Sequence, residues 1–205
     1  MTNKKIIYWL LLPAFIACNA PSGKEQQSAS SEVLIIYSTG QPYKTISDIT
    51  PSEIDAVTCA TPADMNCRII AYRLADELKL QGLTTRVVNA SELKSTRDIL
   101  NSKVLIIGTP ARYWGMSWEL KKMFDEVFSK IYIAHKDEFA NATVFTYSMA
   151  EVDGSAAAAN RSVRSALADC GNKCDTSFVF LTKQVSNNYL KQISNMATVI
   201  IDKIN

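Results

Sequence analysis

The chain has 205 residues, 47% of them hydrophobic and 20% charged, which suffices for one well-buried domain and is short for two. Its formal net charge is only +2, and no basic run stands out beyond Lys4–Lys5, so composition gives no reason to expect nucleic acid as a partner. One histidine and widely split cysteine pairs make a poor tetrahedral ligand set, which argues against a zinc centre.

The chain opens as a targeting segment. Lys4 and Lys5 precede an apolar run over 6–17 that is too short to cross a bilayer comfortably, the pattern of a secretory signal. Residues 15–18, FIAC, resemble a bacterial lipobox, in which a small residue precedes a lipidated cysteine, here Cys18. Phe15 stands where Leu is usual, which leaves ordinary cleavage nearby as the alternative. Residues 1–18 are therefore expected to be a lipoprotein-type signal peptide. Residues 19–31, NAPSGKEQQSASS, are small and polar without apolar period and are expected to be a flexible linker, so that the domain runs over 32–205. The expected location is the periplasm or cell surface, with a lipid anchor holding the protein to a membrane. Beyond Cys18 there remain Cys59, Cys67, Cys170 and Cys174, an even number in an oxidising compartment. Of the three connectivities they allow, the local pairing Cys59–Cys67 and Cys170–Cys174 is the simplest. Cys170 and Cys174 are read as a staple, because they lack the C-x-x-C spacing that lowers a thiol pKa.

The predicted elements alternate strand and helix. VLIIY over 33–37 is a continuous apolar run, expected as a central strand, and Ser38, Thr39 and Gly40 turn the chain at its carboxyl end. Thr50-Pro51-Ser52-Glu53 announces a short helix to about 57, and Thr61-Pro62-Ala63-Asp64 a longer one, with Ile70, Leu74 and Leu78 inward and an end near Gly82. A second strand over 84–88 carries Arg86 and reads as an edge; a helical turn follows near Ile99 and Leu100. The third strand, over 104–107, stops at Gly108. There the chain opens into a loop with Tyr113 and Trp114 at its tip, followed by a helix capped by Ser117 whose inward face is Leu120, Met123, Phe124, Val127 and Phe128. Residues 131–141 read as a charged loop in which His135 is solvated rather than catalytic. A fourth strand over 142–147 leads into a small-residue loop over 148–154, then a helix over 155–168 with Val163 and Leu167 inward, ended by Gly171. TSFVFL over 176–181 is the fifth strand, and Ser186 starts a last helix with Leu190, Ile193, Ala197, Ile200, Ile201 and Ile204 on one face. Apolar strands alternating with helices imply right-handed crossovers and a parallel sheet. In such a sheet ligands sit outside the carboxyl ends of the strands, where Tyr113 and Trp114 suit a flat aromatic ligand.

The segment GTPARYWGMSWELKKMFDE, residues 108–126, resembles the flavin-contacting segment of the flavodoxin-like family, which includes FMN reductases and flavodoxin-like quinone reductases. That resemblance implies an α/β three-layer sandwich with a five-stranded parallel sheet in the order 2-1-3-4-5. It implies FMN as cofactor, with Ser38, Thr39 and Gly40 toward its phosphate, Thr109, Pro110, Ala111, Tyr113, Trp114 and Gly115 against the ring, and Ser148, Met149 and Gly154 flanking the ring's polar edge. It further implies an oxidoreductase of the NAD(P)H-dependent FMN or quinone reductase type, passing electrons from NAD(P)H or a redox partner to a quinone or other acceptor. The flavin does that chemistry, so no side chain is expected to be catalytic. Where the family pattern has Gly-Asn-Thr and then a helix, this chain has Gln41-Pro42-Tyr43-Lys44 and an insertion. The alternative reading is therefore a cofactor-free exported binding or scaffolding protein that keeps the fold and has lost the phosphate loop.

Overall fold

The computed structural model describes residues 32–39, 63–182 and 186–204. The expected signal and linker, Cys18, Gly40, Lys44, the short helix expected at 50–57 and Cys59, and with it the Cys59–Cys67 pairing, lie outside the described residues.

Five strands form one parallel sheet: β1 (Val33–Tyr37), β2 (Thr85–Asn89), β3 (Val104–Pro110), β4 (Thr143–Ala150) and β5 (Thr176–Leu181). Their order is β2-β1-β3-β4-β5, as expected. Alternate residues of each strand feed opposite faces. Val33, Ile35 and Tyr37 meet Ile70, Leu74 and Leu78 of α1 (Ala63–Leu80) and Ile193, Ala197 and Ile200 of α7 (Ser186–Ile204). Leu34 and Ile36 face the other way, toward α2 (Thr96–Leu100), α3 (Trp118–Met123) and α6 (Asp153–Asp169). Helices thus cover both faces, which is why β1 and β3 are buried at every position. The outer strands β2 and β5 are largely half-buried, as edges are.

Two helices close as their glycines foretell. Gly82 and Gly171 take φ of 86° and 94°, and behind them Leu83 N–H donates to the Leu78 carbonyl at 3.2 Å and Asn172 N–H to that of Leu167 at 3.0 Å. A different constraint holds Gly108. The Tyr147 ring crosses directly over it, so that a Cβ there would lie 1.9 Å from the ring's Cζ, while the Tyr147 hydroxyl donates to the Cys67 carbonyl at 2.7 Å.

Several expectations need correction. The charged loop expected at 131–141 is mostly helical: after α3 the chain makes a π-turn (Phe124–Phe128), then α4 (Ser129–Ala134) and α5 (Lys136–Phe139). Buried Ile131 and Phe139 drive this, with Phe139 edge-on to Phe128 at 5.5 Å. His135 sits between the two helices with Nδ1 3.1 Å from Glu138 Oε2. The fourth strand runs on to Ala150, because Thr109 and Pro110 pair with Ser148 and Met149 and extend the ladder. In α7 the inward position is Tyr189 rather than Leu190, which is exposed. Finally, Cys170 and Cys174 form no disulfide. At the end of α6 the Cys170 thiol points at the Phe128 carbonyl, 3.7 Å away, while Cys174, at φ 52°, directs its thiol toward Thr176 O and Thr146 Oγ1 between β4 and β5.

Candidate functional site

The carboxyl ends of β1, β3 and β4 meet where the sequence placed its candidate residues. After β3 the chain turns back on itself at Arg112 to Gly115, whose backbone groups exchange hydrogen bonds of 2.9 and 2.8 Å. The two central residues are Tyr113, at φ 46°, and Trp114, at φ 64°. Such a turn is normally filled by Asn and Gly, since a side chain in the left-handed region costs about 1–2 kcal/mol per residue. Here two of the largest side chains occupy it, and both are exposed, Tyr113 completely and Trp114 at 65%.

The surroundings hold the turn in place. Ala111 N–H donates to the Met149 carbonyl at 2.8 Å, Met116 N–H to Ser162 Oγ of α6 at 2.8 Å, and Ser117 N–H to Thr109 Oγ1 at 3.0 Å. The indole of Trp114 lies over the first turn of α6, close enough that a Cβ on Gly154 would sit 3.4 Å from Cζ3. The aromatic tip and the loop after β4 are therefore one surface, with Val152 exposed beside them.

Below that surface the polar residues turn inward. Ser117 Oγ accepts from Leu120 N–H at 3.3 Å, capping α3, and donates to Ser38 Oγ at 2.7 Å; Ser38 Oγ in turn lies 3.3 Å from Thr109 Oγ1. All three hydroxyl residues are fully buried. Ser148 donates to the Ala156 carbonyl at 2.7 Å, and it and Met149 are buried within β4, so neither presents a side chain to a ligand. Of the twelve residues expected to bind cofactor, the structure thus places Tyr113, Trp114 and Gly154 on an open face. Ala111 and Gly115 are half-buried in the turn, and Ser38, Thr109, Pro110, Ser148 and Met149 lie beneath it. Gly40 is outside the described residues. Thr39 is in neither group.

Thr39 brings in a residue that sequence reasoning missed. Its N–H donates to Glu119 Oε2 at 2.9 Å, and its Oγ1 lies 3.3 Å from both oxygens of the same carboxylate. Glu119, in the first turn of α3, is only 5% exposed. A signal was present: Glu119 stands four residues before Met123, on the face of the helix that Met123 and Val127 bury. The same carboxylate borders a surface groove with Trp118 and Ala90, whose volume of about 50 Å³ suits water and not a ring system. The aromatic end of this edge is thus open, whereas an anion brought to the Thr39 N–H meets a carboxylate already there.

No protein-family model and no curated protein matches the chain. Solved structures match it at low identity. A flavodoxin from Streptococcus pneumoniae TIGR4 is 13% identical, with 83% of this chain and 98% of that one covered and a TM-score of 0.56. An oxidoreductase from Corynebacterium diphtheriae is 13% identical over 85% and 99%, with a TM-score of 0.54. The apo form of an NADH:FMN oxidoreductase is 14% identical over 82% and 88%, also at 0.54. What these proteins share with the chain is the fold.

Proposed function

Starting from a chain with the flavodoxin-like fold, we propose that it binds a flavin against the Tyr113–Trp114 turn and passes electrons between a reduced donor, NAD(P)H or a redox protein, and a quinone or other acceptor. One observation carries the reading: two aromatic residues are held in a strained backbone conformation, exposed, at the carboxyl edge of an open parallel sheet. Strain of this kind persists where surrounding structure enforces it and function uses it. A bound flavin would supply the hydride or single-electron chemistry. The protein's own part is to present the Trp114 face, to seat the indole against Gly154 and to fix the turn through Met116 and Ser162. No side chain is asked to move a proton.

The same proposal takes the protein to be exported and attached to a membrane by a lipid on Cys18, with residues 19–31 as tether and 32–205 as the domain; the basic start and the apolar run before Cys18 support this. Among the described residues no helix is long and apolar enough to cross a membrane. The second reading, a cofactor-free binding or scaffolding protein, is favoured by the Thr39–Glu119 contact, which fills the place an anionic cofactor group would take.

Titrating the purified full chain with flavin separates the two. The expected result is a shifted flavin absorbance band with quenched fluorescence at micromolar concentration, and a loss of about 1–3 kcal/mol of binding in Trp114→Ala from lost stacking area. A flat titration would turn the assignment to the binding module, and an undiminished affinity in Trp114→Ala would remove the ring from this turn.

A further inference from the structure

The two aromatic residues of the turn are held differently. The Trp114 indole is seated against the first turn of α6, beside Gly154. The Tyr113 ring is completely exposed, at φ 46°, and makes no contact among the described residues. Its position is nevertheless fixed, because Ala111, Met116 and Ser117 pin the turn from behind. With Val152 also exposed beside it, the edge presents a tyrosine, a tryptophan and a valine outward. The lipid–water interface suits such a set: there the rings leave water while the phenol hydroxyl keeps it. Charge does not direct the contact, since Glu151 and Asp153 flank Val152, and Lys121 and Lys122 of α3 pair with Asp125 and Glu126.

Reach permits the contact. The chain enters β1 through Glu32 at the amino edge of the sheet, where Glu32 pairs with Lys103 before β3. A strand of seven residues, as β3 is, spans only about 23 Å from that edge to the other. Residues 19–31, read as a tether, extend to at most about 45 Å, so a chain anchored at Cys18 can bring either edge to the membrane. The amino edge offers less. On α4, which with α5 leads into the start of β4, Ile133 is exposed, but the neighbouring Tyr132 ring already lies under Lys136 Nζ, 5.0 Å from its centroid.

We infer that the carboxyl edge, led by Tyr113, docks on the lipid surface of the membrane to which the chain is attached. The inference rests on the lipid-anchor reading and not on the flavin one. Where both hold, an acceptor dissolved in that membrane, as a lipid-soluble quinone is, meets the Trp114 face at the edge already turned toward it.

Fluorescence quenching of the full chain on vesicles tests it. The chain is recovered from cell membranes with its anchor and reconstituted into phosphatidylcholine vesicles that contain a nitroxide-labelled lipid. A fluorophore is attached at Glu151→Cys, beside the tip, or at Ala134→Cys, toward the opposite edge, both exposed positions. The unsubstituted chain, treated alongside, gives the background of the native thiols. The Glu151 probe should be quenched at least about threefold more than the Ala134 probe, with no loss in about 0.5 M salt. In Tyr113→Gly, where glycine accepts the left-handed backbone, that difference should fall by about threefold. Equal quenching at the two positions, stronger quenching at Ala134, or none at either overturns the docking and leaves the anchor reading intact. A difference that Tyr113→Gly does not reduce, or that salt abolishes, overturns the assignment to this apolar tip. A chain that carries no lipid and separates from the vesicles overturns the anchor reading and this inference with it.

Discussion

At the end of β3 the chain turns outward, placing Tyr113 and Trp114 in solvent on a backbone that disfavours them. At the end of β1, the neighbouring strand, it turns inward, and Ser38 and Thr39 spend their hydrogen bonds on Ser117, Thr109 and Glu119. Both regions cap the same edge of the same sheet. The inward region explains itself energetically, since buried polar groups are paired and none has to wait for a ligand. The outward region does not, because among the described residues its conformational cost is set against no contact that the Tyr113 ring makes. The contrast separates what the fold requires from what the fold merely carries.

Breaking the inward region should cost most. Gly108→Ala places a methyl group 1.9 Å from the Tyr147 ring beneath both regions and is expected to cost about 3 kcal/mol or more in chemical denaturation, with the hydrogen bond from Tyr147 to Cys67 lost. A mild effect would mean that β3 can shift against β4 and that the edge is less rigid than drawn. Ser117→Ala removes a helix cap and a buried partner of Ser38 together, for an expected loss of about 1–2 kcal/mol. Stability unchanged in that variant would show the hydroxyl cluster to be replaceable by water. For the outward region the sign reverses. Tyr113→Gly should raise stability by about 0.5–1 kcal/mol, because glycine accepts the left-handed conformation and an exposed ring is all that is lost. A destabilised Tyr113→Gly would reveal contacts of the ring in solution and erase the contrast.

The smallest effect concerns the interior thiols. Burial pushes the Cys170 and Cys174 thiols up, and it pushes the Tyr147 phenol well above its usual range. Alkylation of both cysteines should be slow at neutral pH and quicken only at alkaline pH, and both should react in denaturant without reductant. Because the folded state holds these groups neutral, its advantage is intact below their ordinary pKa values and declines as pH rises through them. A chain whose thiols react only after reduction would restore the disulfide.

The strands were legible in proportion to how completely the fold buries them. VLIIY and VLII are apolar at every step because helices cover both faces, and their shortness and β-branched content between turn residues mark them as strands. The aromatic tip was legible for the opposite reason, as large rings in a glycine-rich loop have no core to serve. The end of β4 was not: Ser148 reads as the start of a loop, and only pairing with Thr109, far away in the chain, makes it strand. The turn at His135 hid its helices behind charged residues whose neighbours Ile131 and Phe139 do the packing. Glu119 was the deepest omission, for its meaning lies in a contact with a residue 80 positions away. Cysteine spacing likewise says nothing about direction, and at Cys170 and Cys174 the direction of each thiol decides against a bond.

The all-parallel ladder also bears on how the chain folds. No pair of its neighbouring strands can be joined by a hairpin, and each must close a long crossover before its first interstrand hydrogen bond forms. The edge that carries the candidate site needs β1 beside β3, which brings together residues such as Ser38 and Thr109, 71 positions apart. Loop closure over that span has to be met before the core rewards it, so refolding should take on the order of milliseconds or longer. Helices can form early while this edge waits for the centre of the sheet. A partly folded chain would then hold much of its secondary structure and lack the candidate site.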